Sequence, residues 1–247
     1  MFEQFKINKN LPTPAYLHLK NNILDAIASS EIKIDTALPS EREMANYLGL
    51  SRMTVRRAFD ELVNEHYLER RQGSGTYILP KPVEQTMDRV LGFTDEAKNL
   101  GFTAGSKLLE TKTQAANKHI AQKLQIDIGQ TILIITRLRT ANGKPLAIQS
   151  SYLAPSLKDL SLELLAKNGS LYQTIKEQFS ITPIAAKQTV AARITTPWEA
   201  ELLNIAIDAP VLELERITLD KNNSPFEYVY NAYRGDRYKL LLELKAP

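Results

Sequence analysis

Residues 38–62 read Leu38-Pro-Ser-Glu-Arg-Glu-Met-Ala-Asn-Tyr-Leu-Gly-Leu-Ser-Arg-Met-Thr-Val-Arg-Arg-Ala-Phe-Asp-Glu-Leu62. Pro39 precedes Ser40, and Glu43 stands three residues further on. That spacing predicts a capping box. The serine hydroxyl accepts from the third helical N–H, and the glutamate reaches back to the backbone of the cap. The helix so started runs through Met44, Ala45 and Leu48 and meets Gly49, which readily takes the left-handed conformation that ends a helix. Only Leu50 separates it from Ser51, an N-cap for a further helix, and Leu50 is placed to staple onto Val55. Two capped helices around a glycine turn predict a helix-turn-helix.

In the second of these helices Val55, Ala58, Phe59 and Leu62 recur at helical spacing and form a buried stripe. Arg52 and Arg56 lie one turn apart on its flank, while Arg57 and Met53 point nearly opposite. The N-terminal end then presents Ser51, Arg52, Thr54, Arg56 and Arg57, where a recognition helix enters the major groove. Guanidinium matches guanine O6 and N7 in a bidentate fork, and hydroxyl and guanidinium both bind phosphate. Upstream, Pro14 with Leu17, Ile23, Leu24 and Ile27 predicts a helix to about Ser29. Downstream, Tyr67–Arg71 and Thr76–Leu79 read as strands joined by Gln72-Gly-Ser-Gly75, a hairpin whose tip lacks bulky side chains. Its backbone can approach a sugar-phosphate wall, with Arg70 and Arg71 at its base. Capped helices alone also suit a structural module. Caps, arginines and a glycine wing in this order point to DNA.

Bulk charge does not make that case. The 247-residue chain carries a net charge of +3, but residues 1–79 hold ten Lys/Arg against ten Asp/Glu. Placement of the arginines has to carry the argument. The absence of cysteine excludes disulfides, thiolate metal sites and cysteine nucleophiles. His18, His66 and His119 are far apart and lack partners at ligand spacing, so neither a metal nor another cofactor is expected. No apolar run approaches the roughly 18–20 residues of a membrane span, and Met1–Asn10 has no apolar core of a secretory signal. A cytoplasmic location without membrane contact is the expectation.

Residues 80–90 open with Pro80 and Pro82 and lack a sustained period, which predicts a linker between residues 1–79 and 91–247. The larger segment alternates strand-like and helical patterns, as in an α+β domain. Within it, Thr131–Arg139 reads as a strand by its β-branched content. Period two places Arg137 and Arg139 on one face, roughly 7 Å apart. Two guanidiniums so close repel unless an anion or carboxylates stand between them. A structural salt bridge to Glu227 or Asp236 and a phosphate or carboxylate clamp are both open readings. Ser170 reads as the N-cap of an amphipathic helix through Ile175 and Phe179, and a helix start also suits an anion.

Leu38–Ala45, Leu48–Arg56 and Gly73-Ser-Gly-Thr-Tyr77 resemble the DNA-binding signature of the GntR family. Thr136–Arg139, Gly143–Leu146, Ser170–Tyr172, Pro225–Glu227 and Tyr233–Tyr238 resemble, in order, its HutC subfamily. The resemblance implies a winged helix-turn-helix joined to a UTRA sensor, a mixed α/β domain of chorismate-lyase-like fold with an antiparallel sheet. It implies that Arg42, Arg52 and Arg56 contact bases and phosphates and that Gly73 enters the minor groove. It further implies a homodimer on a near-palindromic double-stranded operator, most often a repressor loosened by a metabolite. In sugar-phosphate-sensing relatives, residues matching Arg137, Arg139, Ser170 and Tyr172 surround the phosphate, and those matching Glu227 and Tyr233 hold the sugar. Thr94 adds a hydroxyl near the phosphate. Gln149 departs from the glutamate of amino-sugar-phosphate sensors, exchanging a carboxylate for an amide that both donates and accepts. A lyase-like fold does not make an enzyme; the sequence shows no nucleophile–base pairing or phosphate-cradling loop. A sensor domain that only dimerises is the remaining alternative.

Overall fold

The computed structural model describes residues 5, 13–29, 31–79, 83–86 and 89–241. They form two compact units, Met1–Pro82 and Val83–Pro247. In the first, helices α1 (Ala15–Ala28), α2 (Glu41–Leu48) and α3 (Arg52–Asn64) pack beside strands β1 (Ala37–Leu38), β2 (Leu68–Arg71) and β3 (Gly75–Ile78). The caps are local chemistry. Ser40 Oγ accepts from Glu43 N at 3.3 Å, and the Glu43 carboxylate accepts from Ser40 N at 2.9 Å. Gly49 takes φ 62°, ψ 40°, and Ser51 Oγ accepts from Thr54 N at 3.0 Å. Val55, Ala58, Phe59 and Leu62 join Leu19, Ile23, Met44, Leu68 and Ile78 in one buried cluster, with Leu50 packed against it. The hairpin β2–β3 gains β1 on its other edge, giving the order β1-β3-β2. Two residues are too short for any periodicity, so β1 is not readable from sequence.

The second unit is built on six antiparallel strands in the order β5-β6-β7-β10-β9-β8. These are β5 (Ala104–Ala115), β6 (Thr131–Ala141), β7 (Lys144–Leu153), β8 (Ala185–Ile194), β9 (Pro210–Leu219) and β10 (Pro225–Arg234). Helices α6 (Leu162–Asn168) and α7 (Leu171–Phe179) cover one face, where Leu165, Leu171 and Ile175 meet Leu133, Ile135 and Leu153. On the opposite face α5 (Lys118–Leu124) packs Ile120 and Leu124 against Ile132, Ile134 and Tyr228. There too α8 (Pro197–Leu203) sets Leu203 against Ile148 and Val211. α4 (Phe93–Asn99) adds Phe93 to a cluster with Ala147, Leu214 and Tyr233. No helix among the described residues is long and apolar enough to cross a membrane.

One stretch differs from its sequence reading. Within 80–90, expected as a linker, Val83–Thr86 form a strand, β4, paired in parallel with β11 (Tyr238–Leu241). Val83 is buried in the same cluster as Tyr238. The partner lies at the far end of the unit's sequence, so no local pattern reveals the pairing. Residues 80–82 and 87–88 lie outside the described residues.

Phe59 is fully buried, so Phe59→Ala is expected to cost about 3–5 kcal/mol. Ser40→Ala, losing one cap, should cost about 1 kcal/mol. Urea unfolding of both variants checks the ranking.

Candidate DNA-reading surface and effector pocket

On the outside of α3 the arginines are open to solvent. The side chains of Arg52, Arg56 and Arg57 are 72%, 57% and 62% exposed. Arg42 and Gly73 are exposed as well, and Gly73 takes φ 72° at the tip of the wing. Ser51 and Thr54 are half committed elsewhere: their hydroxyls lie 2.8 Å apart and help start the helix. Arg57 is drawn onto α1, donating to Tyr16 Oη at 3.0 Å with its guanidinium 3.8 Å above that ring. Two of the unit's carboxylates lie between the arginines. Glu41 is 3.8 Å from Arg52 and 3.2 Å from Arg70, and Asp60 is 3.9 Å from Arg56 and 2.6 Å from Arg70. Arg71, expected to be open for phosphates, pairs with Asp35 at 2.6 Å and lies over the Tyr77 ring. Such exposed pairs are worth about 0–1 kcal/mol each and are readily exchanged for phosphates.

In the second unit the sheet's register builds a very different arginine site. Arg137 on β6 stands opposite Gln149 on β7, which stands opposite Asn231 on β10. One row along, Arg139 faces Ala147 and then Tyr233. Both guanidiniums are buried, 4% and 2% exposed. Arg137 Nη2 donates to Gln149 Oε1 at 2.7 Å, and Arg139 Nη2 donates to Thr94 Oγ1 at 3.2 Å. Arg137 Nε and Arg139 Nε and Nη1 have no hydrogen-bond partner. Neither arginine forms an ion pair with a carboxylate among the described residues. Asp236 is taken by Arg234 at 2.6 Å, and Glu227 accepts from Tyr172 Oη at 2.8 Å and from Thr218 at 3.3 Å. Burial pushes Arg137 down to about 10 against the pull of Glu227. Burial and then the charge of Arg137 push Arg139 down to about 9. Two buried cations with spare donors and no counter-ion in contact constitute a demand for an anion.

The two arginines line a narrow cavity in the second unit. Ser170, Leu171 and Tyr172 line it too; Ser170 caps α7 by accepting from Gln173 N at 3.3 Å, which brings the positive end of that helix to the clamp. All eight residues singled out in the sequence line this cavity, and two of them also make hydrogen bonds within the chain. Thr94 spends its hydroxyl proton on the Gly169 carbonyl at 3.0 Å. Tyr172 turns its hydroxyl to Glu227 and Thr218, and burial holds its phenol well above the ordinary tyrosine range. Tyr233 stacks on Tyr238 at 3.9 Å. The sequence reading missed Glu96, Arg216 and Asn231, which also line the cavity. Arg216 donates to the Leu91 carbonyl at 2.9 Å and to Gln188 at 2.6 Å, and lies 3.7 Å from Glu96. Polar residues inside an element read as solvent-facing; cross-strand register turns Arg216 and Asn231 inward, and the packing of α4 does so for Glu96.

Residues 15–78 match the family described as bacterial regulatory proteins, gntR family, and residues 99–239 match the UTRA domain. The repressor NagR of Bacillus subtilis is 38% identical over 232 residues, 94% of this chain and 95% of that protein. The mannosyl-D-glycerate transport/metabolism system repressor MngR of Escherichia coli is 29% identical across 93% of this chain and 95% of its own length. The crystal structure of PhnF from Mycobacterium smegmatis aligns with a TM-score of 0.65 at 26% identity, covering 92% of this chain and 99% of that one. With outward arginines on a winged helix-turn-helix and both family matches in place, the chain belongs to the GntR family, in its UTRA-containing HutC branch, as a DNA-binding transcription regulator and not an enzyme.

Proposed function

We propose that this regulator is a repressor released from its operator by a small phosphorylated sugar held between Arg137 and Arg139. The observation that carries the reading is the pair of buried guanidiniums with unpartnered donors beside the start of α7. A phosphate offers several acceptor oxygens and up to two charges, matching that excess of donors. Glu227, Gln149 and Tyr233 line the same cavity and suit hydroxyl groups. Ser170 and Tyr172 close the clamp from α7, and Thr94 acts indirectly by orienting Arg139.

On DNA, α3 enters the major groove with Ser51, Arg52, Thr54, Arg56 and Arg57 at the bases and flanking phosphates, assisted by Arg42 from α2. Gly73 brings the wing to the minor groove. A homodimer presents two such units to a near-palindromic site in the cytoplasm, with residues 1–79 reading DNA, residues 91–247 sensing and dimerising, and the chain between them coupling the two. The names of the relatives support repression. The effector acts through its different affinity for the DNA-competent and released arrangements, transmitted along residues 80–90.

Arg52→Ala with Arg56→Ala should weaken operator binding at least 100-fold in a mobility-shift assay and flatten the log K against log salt slope by about 2. Because both side chains are exposed, the melting temperature should stay within about 1 °C of wild type. Unchanged binding would remove α3 from the groove.

The sensor half is tested by thermal shift with inorganic phosphate and hexose 6-phosphates. Stabilisation is expected at pH 7.5 and should fade as pH rises through about 9 and 10, because the anion binds the charged arginines and these are the values to which burial has lowered them. Arg139→Met should abolish it. Stabilisation by carboxylates alone would change the ligand class, and a flat response to every anion would leave the unit as a dimeriser.

A further inference from the structure

Asn231 is 5% exposed and lines the cavity, and its Oδ1 has no hydrogen-bond partner. Its Nδ2 is directed to the Leu214 carbonyl, 3.4 Å away on the neighbouring strand, which fixes the amide with its oxygen left over. A buried carbonyl oxygen without a donor is unfavourable unless something supplies one. The register puts this oxygen at the end of a row. Arg137 donates to Gln149 Oε1, which leaves the Gln149 Nε2 donor, and Asn231 stands directly opposite Gln149. Along three adjacent strands the wall thus runs from cation to amide donor to amide acceptor.

We infer that Asn231 is the specificity-determining residue of the pocket, its side-chain carbonyl accepting a hydrogen bond from a neutral hydroxyl or acylamino N–H on the ligand's non-phosphate end. This rests on the anion-sensor reading above and extends it from the charged group to the body of the ligand. An amide acceptor suits a neutral donor, since an ammonium group would be better matched by a carboxylate at this place. The Glu227 carboxylate, nearby on the same strand, already accepts from Tyr172 and Thr218. Gln149 completes the pair by donating to an acceptor on the same ligand.

The test is calorimetric titration of the full chain with inorganic phosphate, glucose 6-phosphate, N-acetylglucosamine 6-phosphate and glucosamine 6-phosphate. Inorganic phosphate reads the arginine clamp alone. Wild type should bind at least one of the two neutral sugar phosphates more tightly than the amine. Asn231→Leu should weaken the preferred neutral sugar phosphate at least tenfold while inorganic phosphate stays within twofold. Asn231→Asp, nearly isosteric, should shift the ratio of affinities at least tenfold toward glucosamine 6-phosphate. A general loss of fold or of the clamp would lower phosphate and sugar phosphates alike, and that result overturns the assignment, as does an Asn231→Leu protein with wild-type affinities. A wild type that prefers the amine, or an unmoved ratio in Asn231→Asp, also overturns it while leaving the sensor reading intact. A wild type that binds none of the four probes defeats the sensor reading itself and this inference with it.

Discussion

The cavity of the larger unit is arranged around two like charges placed two residues apart on one buried strand face. Unpaired, a buried guanidinium costs several kcal/mol, and here the compensation is partial. Arg139 lies 4.3 Å over the Phe93 ring and bonds once to Thr94, and Arg137 bonds once to Gln149. The apolar clusters on both sheet faces supply the stability that tolerates this arrangement. An anion that satisfies the spare donors adds RT ln(1 + [L]/Kd) to the folded state.

The same side chain serves the opposite purpose in the smaller unit. Its arginines are solvent-accessible, and Arg52, Arg56, Arg57, Arg70 and Arg71 each lie near a carboxylate in a pair worth little. Glu41 ties the start of α2 to Arg52 of α3 and Arg70 of β2, while Asp60 ties Arg56 to that same Arg70. Helix and wing therefore share one electrostatic network. This also accounts for a DNA-reading unit with no net charge: the acids that cancel the arginines orient them. On the DNA-reading role proposed above, attraction to DNA would arise locally as phosphates replace carboxylates, releasing counter-ions from the duplex.

How much of this was legible depended on range. Ser40, Glu43, Gly49 and Ser51 act within four residues, so the helix-turn-helix was readable almost to the residue. Arg137 and Arg139 were readable because their spacing along one strand already implies a shared face. Asn231, Arg216 and Glu96 were not, because nothing local distinguishes an inward polar side chain from a solvated one; cross-strand register and helix packing decide it. The partners of the Thr94 and Tyr172 hydroxyls, Gly169 O for one and Glu227 for the other, lie 75 and 55 residues away along the chain, beyond the reach of any local pattern. The pairing of β4 with β11 spans the whole unit and left no trace in the composition of 80–90.

The cavity is roofed from two sides, by α7 and by α4, and each is held by both apolar packing and polar bonds. The α7 side is anchored by Leu171 and Ile175 in an apolar cluster with β6 and β7. The α4 side contributes Phe93 and Ala97 to the core and is otherwise tied by polar bonds: Arg216 to the Leu91 carbonyl, Thr94 to Gly169 and to Arg139, and Glu96 to Arg216 at 3.7 Å. Gly92 belongs to this side, and a Cβ there would stand 3.2 Å from the Tyr172 ring, so the backbone itself forms the wall. Polar ties can be exchanged for bonds to an incoming phosphate, whereas apolar packing has no such substitute. The α4 side carries more of these exchangeable ties, and β4, at the start of the same unit, precedes it in the chain.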